Sequence, residues 1–190
     1  MSAYYGTEAR LVATRDWGEA DRIMTFFTQD LGRVDAIAKS VRLGKSKLNG
    51  HLNLFSRGRI MVTPGHEYWR LLDAEQGTEF SIKDNSMFFA QNIPQILVGI
   101  TVRDEPAHEF WGIVGPMDRI TTTEALNRAK IDALRIAGMF PEESDLKLFF
   151  SSRAIDFIEK RSIDECFSDL TERDAFNVGI RQILATNHMV

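Results

Sequence analysis

"RIMTFFTQDLGRVDAIA", Arg22 to Ala38, is the stretch of sequence that decides the fold. Within it, residues 22–28 and residues 33–38 each alternate between two sets of side chains. A period of two places successive side chains on opposite faces of an extended chain. The stretch therefore predicts two consecutive β-strands, Arg22 to Thr28 and Arg33 to Ala38.

Three more short runs in the N-terminal part of the chain also read as strands. They are Glu8 to Thr14, Arg59 to Thr63 and Glu67 to Leu72, with turn-like clusters at Asp16-Trp17-Gly18 and Pro64-Gly65-His66. Proline and glycine restrict the backbone in ways that favour turns. Five short strands separated by turns and one longer loop predict a small closed barrel of the OB type, with an SH3-like barrel as the alternative.

After Gly77 the sequence changes to helical patterns. Residues 88–102 are strongly apolar, and Pro94 must begin or kink a helix there because it lacks an N–H. Thr121 and Glu124 have the spacing of a capping box ahead of a second helix, which Pro141 ends.

Apolar residues recur at helical spacing in three segments of this second part, each predicting one buried stripe. The stripes are Leu126, Ala129, Ala133, Ile136 and Phe140; Leu146, Phe149, Phe150 and Phe157; and Phe176, Ile180, Ile183 and Leu184, with Thr171 and Asp174 as a capping pair. The chain is therefore predicted to be an α+β protein of two parts, an OB-fold domain at residues 1–78 and a helical domain at residues 79–190.

Charge is divided unevenly along the chain, which has 190 residues and a net charge of −4. Residues 1–72 contain 11 Lys and Arg against 7 Asp and Glu, a net +4, whereas residues 73–190 contain 12 against 20, a net −8. The two parts are therefore expected to bind different partners.

Targeting signals and cysteine usage indicate the compartment. Met1 is followed by Ser-Ala-Tyr-Tyr-Gly, without the basic start and apolar run typical of a signal peptide, and the apolar runs are far shorter than the roughly 20 residues of a membrane-spanning helix. Cys166 is the only cysteine, which excludes an internal disulfide and a thiolate zinc site. We expect a soluble cytoplasmic protein.

A basic loop follows the third predicted strand, with Lys39, Arg42, Lys45 and Lys47 within nine residues. Its Gly44-Lys45-Ser46 triplet is like the end of an NTPase phosphate loop. That motif, G-x-x-x-x-G-K-[ST], needs glycine where this chain has Lys39, and a helix where it has another turn. A nucleotide site of this type is not expected.

Separated cations on a barrel surface suit a strand of nucleic acid instead. Lys and Arg neutralise successive phosphates and release counterions, and OB barrels bind single strands across such a face. The alternative is a basic loop that is only solvated. Candidate cations near the strand ends are Arg15, Arg22, Arg33, Arg57 and Arg59; candidate stacking residues, whose alternative role is packing, are Trp17, Tyr68 and Trp69.

Spaced motifs link the N-terminal part to a known family. They are TRDWGEADRI at 14–23, FFT at 26–28, LGR at 31–33, AKS at 38–40 and LF at 54–55. With these motifs, residues 8–62 closely resemble the N-terminal domain of the RecO family of bacterial recombination mediators. Beyond Gly77 the resemblance is only one of pattern, in the helix ALNRAKIDALRIAGMFP at 125–141.

The resemblance implies a DNA repair protein that binds single- and double-stranded DNA and anneals complementary strands. It further implies action with RecR and single-stranded DNA-binding protein (SSB) to load RecA, in the bacterial cytoplasm at the nucleoid. Many family members carry a four-cysteine zinc module, but with Cys166 alone neither zinc nor another cofactor is expected here. The DNA contacts carry over to Lys39, Arg42, Lys45 and Lys47, with Arg15, Arg22 and Arg33 beside them.

Arg153 lies within the apolar stripe that contains Phe149 and Phe150. A cation beside an apolar groove is what an acidic peptide ending in Phe, such as the SSB tail, requires. The alternative is an arginine whose stem packs on the surface and whose head remains in water.

Catalytic motifs are absent from the sequence. His66-Glu67 and His108-Glu109 begin like the zinc motif H-E-x-x-H, but its fifth position is Arg70 or Gly112. We therefore expect a binding protein rather than an enzyme. Three classes remain open: a DNA-binding mediator, a barrel adaptor that binds only protein, and a small hydrolase with a site built from carboxylates.

Overall fold

The computed structural model describes residues 3–43, 48, 53–77, 86–103, 105, 108–120, 122–160 and 170–187. It has the predicted two-part α+β architecture, a closed five-stranded barrel followed by helices. The strands are β1 (Tyr5–Trp17), β2 (Asp21–Thr28), β3 (Gly32–Ala38), β4 (Arg57–Thr63) and β5 (Trp69–Gln76). The helices are α1 (Ser86–Ile100), α2 (Trp111–Val114), α3 (Thr123–Ile136), α4 (Ser152–Lys160) and α5 (Leu170–Thr186).

The barrel has the strand order β1-β2-β3-β5-β4 and closes through an antiparallel pairing of β1 with β4. β3 meets β5 in parallel, through Ala36 with Trp69 and Ile37 with Arg70, and the other contacts are antiparallel. This five-stranded barrel confirms the predicted OB-fold.

Several predicted strand ends differ from the structure, since β1 begins at Tyr5, β4 begins at Arg57 and β5 ends at Gln76. β1 continues through Asp16 to Trp17, because these residues pair with Arg22 and Asp21 at the start of β2. The turn is accordingly made by residues 18–20, with Gly18 at φ +60°. β5 starts at Trp69, two residues later than predicted, after the Pro64–Tyr68 loop.

The barrel side chains divide between two hydrophobic cores. Interior residues, including Met24, Phe26 and Val34, form the core of the barrel itself. Val12, Phe27 and Phe55 belong instead to a core that they share with α1, α2 and α3. This shared core seats the helices on one side of the barrel.

Polar contacts reinforce the joint between barrel and helices. Arg33 on β3 donates from Nη1 to the carbonyl oxygens of Val98 and Thr101 at the C-terminal end of α1, at 2.7 and 3.1 Å. The last carbonyls of an α-helix have no partner within the helix, so the Arg33 guanidinium caps α1. Arg10 on β1 makes a second contact of this kind, donating from Nη2 to the carbonyl oxygen of Gly115 after α2.

The helices correct several sequence predictions of caps and ends. Pro94 lies inside α1. The N-cap of α3 is Thr122, whose hydroxyl accepts from the Ala125 N–H at 3.2 Å, whereas the predicted Thr121 lies outside the described residues. α3 ends at Ile136, before Gly138 at φ +67° and well before Pro141.

A third core joins α3, α4 and α5, with Phe150 and Phe176 in ring contact at 5.2 Å between centroids. The stripe of α5 is confirmed, because Phe176, Ile180 and Ile183 are buried. The predicted stripe of α3 is wrong at Ile136, which is exposed because the helix also turns Ile131 and Leu134 into this third core. Thr171 lies inside α5, and Leu146, Phe149 and Phe150 precede α4.

Candidate nucleic-acid interface

The β1–β2 turn is joined to the segment that follows β3 through Asp21. Its carboxylate accepts from the backbone N–H of Ser40 at 2.8 Å and pairs with the Lys39 ammonium, also at 2.8 Å. Ser40 has φ 55°, a conformation uncommon for residues other than glycine, asparagine and aspartate, and this hydrogen bond supports it. Lys39 is thereby held on the barrel end with its side chain still largely in solvent.

The hydrogen bonds to Asp21 also change its ionisation. The ammonium of Lys39 and, second, the N–H of Ser40 hold the pKa of Asp21 below its ordinary value. Asp21 is therefore ionised at neutral pH and keeps its charge partner.

Asp16 binds two further cations at the same barrel end. Its carboxylate lies 3.1 Å from Arg22 Nε and 3.5 Å from Arg42 Nη2. Arg42 also donates from Nη1 to the Gly18 carbonyl at 3.1 Å. The two carboxylates thus order three cations around the turn, and all these side chains remain partly exposed.

An aromatic cluster lies beside them, formed by Arg15, Trp17, Tyr68 and Arg103. The Trp17 and Tyr68 rings meet edge to face at 5.6 Å, and Arg15 donates to the Tyr68 hydroxyl at 2.8 Å. The Arg15 guanidinium lies 5.6 Å from the Trp17 centroid, and that of Arg103 lies 5.2 Å from the Tyr68 centroid. Trp17 is 40% exposed, so a ring that could cover a base is accessible.

The cations and the aromatic cluster are both organised by the last residues of β1. Successive strand residues point to opposite sides, so Asp16 faces Arg22 and Arg42 while Arg15 and Trp17 face Tyr68. Because both groups lie at the same end of the barrel, next to the β1–β2 turn, we call the whole set the basic face: Arg15, Asp16, Trp17, Asp21, Arg22, Lys39, Arg42 and Tyr68. Its four cations and two carboxylates leave a net charge of +2.

The other predicted DNA contacts are placed differently. Arg33 is occupied by α1 and by Asp35, 3.4 Å from its Nη2. Arg57 pairs with Glu8 at 3.2 Å, with its guanidinium 5.3 Å from the Trp111 centroid. Lys45 and Lys47 lie outside the described residues.

The remaining aromatic candidate, Trp69, is packing rather than surface. It is half-buried against the barrel core, and its ring meets Tyr5 edge to face at 5.5 Å. Arg59 is exposed on β4, with its guanidinium near Gly6.

Sequence reasoning missed three side chains of this end of the barrel. Asp16 and Asp21 were missed because only cations were considered as DNA contacts, and not the carboxylates that pair with them. The positions of the two aspartates on either side of the turn were the signal that could have identified them. Arg103 was missed because only the fold brings the residues after α1 next to Tyr68.

The second predicted site, around Arg153, is placed as follows. Arg153 is exposed and pairs with Glu172 of α5 at 3.0 Å. Phe150 is buried against Phe140 and Phe176, and Phe149 is partly buried in the same core. Arg153 is thus the accessible member of the three.

Among the residues with described positions, no three His, Cys, Asp or Glu side chains come together as a metal would require. None of the described helices combines the length and apolar character needed to cross a membrane.

Comparison with known proteins connects this barrel to a family. The family described as "Recombination protein O N terminal" matches residues 1–78, which contain the whole barrel. Over residues 1–78 this chain is therefore similar to the RecO family. The basic face therefore lies on a RecO-type barrel, as the sequence motifs predicted.

Curated relatives support the same relationship. A DNA repair protein RecO of Dehalococcoides mccartyi is 46% identical over 61 residues, 32% of this chain and 24% of that protein. RecO proteins of Halalkalibacterium halodurans and Gloeothece citriformis are 23% and 24% identical over 85% and 75% of this chain, covering 70% and 54% of their own lengths. The stronger similarity thus spans about a quarter of the first relative, and the weaker similarity extends into the helices.

Proposed function

We propose that this protein is a DNA-binding recombination mediator that acts in DNA repair by binding and annealing strands. The observation that carries the proposal is the basic face, a group of preordered cations beside an accessible tryptophan on a RecO-type barrel. Relatives named DNA repair protein RecO support the assignment to repair. No catalytic step is assigned to this chain.

Phosphate groups would bind by displacing carboxylates from the cations. In the free protein, Arg22 and Arg42 share Asp16, and Lys39 pairs with Asp21. These pairs lie at the surface, where ion pairs are weak, so a phosphate with its released counterions competes with the carboxylates. If about four phosphates of a single strand are neutralised, the affinity should fall roughly 50-fold between 50 and 200 mM salt.

Trp17 and Tyr68 would add contacts that salt does not weaken. Stacking of a base on an aromatic ring contributes about 1–3 kcal/mol and tolerates any base. Charge and stacking together suit binding to single strands with little sequence preference. Double-stranded DNA, whose bases are already stacked, would use the cations alone.

Partners and location follow from the family resemblance and remain proposals. We propose that the protein works with RecR and SSB to load RecA, in the bacterial cytoplasm at the nucleoid. Arg153, beside Phe149 and Phe150, is the proposed contact for the SSB tail. The same proposal includes a domain boundary between residues 78 and 79, function without a cofactor, and DNA contacts from Lys45 and Lys47.

Fluorescence anisotropy of a labelled single strand, titrated at several salt concentrations, tests the function. The wild-type chain should bind with a steep salt dependence, and the variant Lys39→Gln/Arg42→Gln should lose about 1.4 units of the slope of log K against log salt. A matched variant, Arg135→Gln/Lys147→Gln, removes two exposed cations of the helical part and should bind as the wild type does. Absence of binding in dilute buffer would favour a protein-binding adaptor instead.

The SSB-tail contact has its own test. Arg153→Ala should weaken binding of a labelled acidic peptide ending in Phe, while leaving the oligonucleotide affinity unchanged. Equal peptide affinity in the two proteins would remove Arg153 from the proposal without affecting the basic face.

A further inference from the structure

A small cavity separates α3 from α5, away from the basic face. Its volume is about 220 Å³, and its polar lining consists of Thr123, Asn127 and Lys130 on α3 with Arg173, Asp174 and Asn177 on α5. Leucines from both helices complete the walls. The cavity is thus a polar recess within an otherwise apolar helix packing.

Asn127 is the side chain in this cavity that most needs a partner. It is 1% exposed, and neither its Oδ1 nor its Nδ2 has a hydrogen-bond partner within the described part of the chain. Buried amides in native proteins are nearly always paired, so an unpaired one that lines a cavity calls for a partner there, either water or a bound ligand. That molecule must offer an acceptor to Nδ2 and a donor to Oδ1.

Lys130 supplies a cation at the same place. Only 5% of the residue is exposed, and Nζ donates to Asn177 Oδ1 at 2.8 Å, which leaves two ammonium protons for another acceptor. Burial, and secondly the positive charge of Arg181, lower the pKa of Lys130 to about 8. A buried ammonium without a carboxylate partner is the group that an anion would stabilise.

The charges around the cavity favour an anion. Lys130 and Arg173 are positive, and Asp174, exposed at the rim, is the opposing charge of the lining. The lining therefore has a net charge of +1 when Lys130 is protonated.

We infer that this cavity binds inorganic phosphate. Lys130, Arg173 and the Asn127 Nδ2 group donate to phosphate oxygens, and the proton that phosphate retains near neutral pH is donated to Asn127 Oδ1. A carboxylate such as acetate, which is ionised at this pH, only accepts hydrogen bonds and leaves that oxygen unpaired. The inference does not depend on DNA binding, because the cavity and the basic face share no residue.

Thermal unfolding of the full chain at neutral pH tests the site, with sodium phosphate compared with sodium acetate at equal ionic strength. A ligand that binds only the folded state raises the midpoint in proportion to the logarithm of its concentration. Phosphate should do so and acetate should not. Phosphate should act equally in Lys39→Gln/Arg42→Gln, which removes two cations of the basic face.

Variants then locate the binding. Lys130→Met and Asn127→Leu should abolish the response to phosphate, and Arg173→Gln, at a half-buried position in the lining, should weaken phosphate binding at least about tenfold. Lys147→Gln, an exposed position outside the cavity, is the matched control and should respond like the wild type. If Arg173→Gln responds fully, or if phosphate and acetate act alike, the inference is overturned and the cavity holds water alone.

Discussion

The guanidinium of Arg10 on β1 lies 2.6 Å from the carboxylate of Asp118 in the helical part of the chain. Arg10 is 1% exposed and also donates to the carbonyl oxygens of Phe55 and Gly115, at 2.8 and 2.6 Å. Phe55 has φ 67°, and the hydrogen bond holds it in this unusual conformation. One buried side chain thus connects a strand, a strained loop residue and the turn after α2.

Replacement of Arg10 by Met should destabilise the fold by about 2–4 kcal/mol, because the buried carbonyls of Phe55 and Gly115 lose their donor. Asp118→Asn should cost only about 1 kcal/mol, since the Asp118 side chain is 42% exposed and an amide oxygen still accepts. Urea unfolding measures both free energies, with Lys147→Met as the exposed control. Equal losses for Arg10→Met and Asp118→Asn would mean that the ion pair, not the carbonyl contacts, dominates.

Asp16→Asn should strengthen single-strand binding about fivefold at low salt, because it removes a negative charge from Arg22 and Arg42. Anisotropy titration measures the change. Asp132→Asn, on α3, makes the same chemical change outside the basic face and should leave affinity unaltered. Weaker binding by Asp16→Asn would show that ordering the arginines matters more than freeing them.

Trp17→Ala should weaken single-strand binding by about 1–3 kcal/mol at every salt concentration, since it removes a stacking surface and no charge. The slope of log K against log salt should therefore stay unchanged. Tyr5→Ala removes another partly exposed ring of β1, at the opposite end of the strand, and serves as the control. If the slope changes while the affinity at high salt stays the same, the role of Trp17 is to pack against Arg15 and not to stack on a base.

The stability of the protein in phosphate-free buffer should rise between about pH 8 and pH 10.5 through Lys130, whose pKa is about 8 in the fold against an ordinary value of 10.5. In this window the unfolded chain binds more protons at Lys130 than the folded chain, so raising the pH favours folding. Below pH 8 the buried ammonium costs the fold about 3 kcal/mol.

Lys130→Met removes that titration. The difference in free energy of unfolding between variant and wild type should therefore be largest below pH 8 and shrink as the pH approaches 10.5. Urea unfolding across this range measures the difference. A difference that stays constant with pH would contradict the pKa given for Lys130.

The barrel could be predicted because its strands alternate, but the role of each face could not. Residues 23–28 of β2 are all buried, since Met24 and Phe26 fill the barrel while Phe27 faces the helices. An alternating pattern with apolar residues on both faces predicts a strand, but it does not show which face points into the barrel and which faces the helices. Helix ends were predicted less well, because capping by Thr122 and Gly138 depends on backbone geometry.

The cations of the candidate site could be predicted from their clustering, but not which of them are occupied. Lys39 and Arg42 stay at the surface, whereas Arg33 is held by carbonyls 65 and 68 residues further along the chain. The buried role of Arg10 was not predicted, although a cation between Ala9 and Leu11 in an apolar strand is a recognisable anomaly. Such long-range pairings arise only when the chain folds.

The packing of the helices on the barrel determines how an isolated barrel fragment would behave. Val12, Phe27 and Phe55 pack against α1, α2 and α3. A fragment that ends at Gly77 would therefore expose this hydrophobic surface to water and would tend to self-associate. Calorimetry of the intact chain should accordingly give one melting peak for barrel and helices together. Barrel and helices would then have to evolve together, because a substitution on one side of this shared hydrophobic surface must fit the residues on the other side.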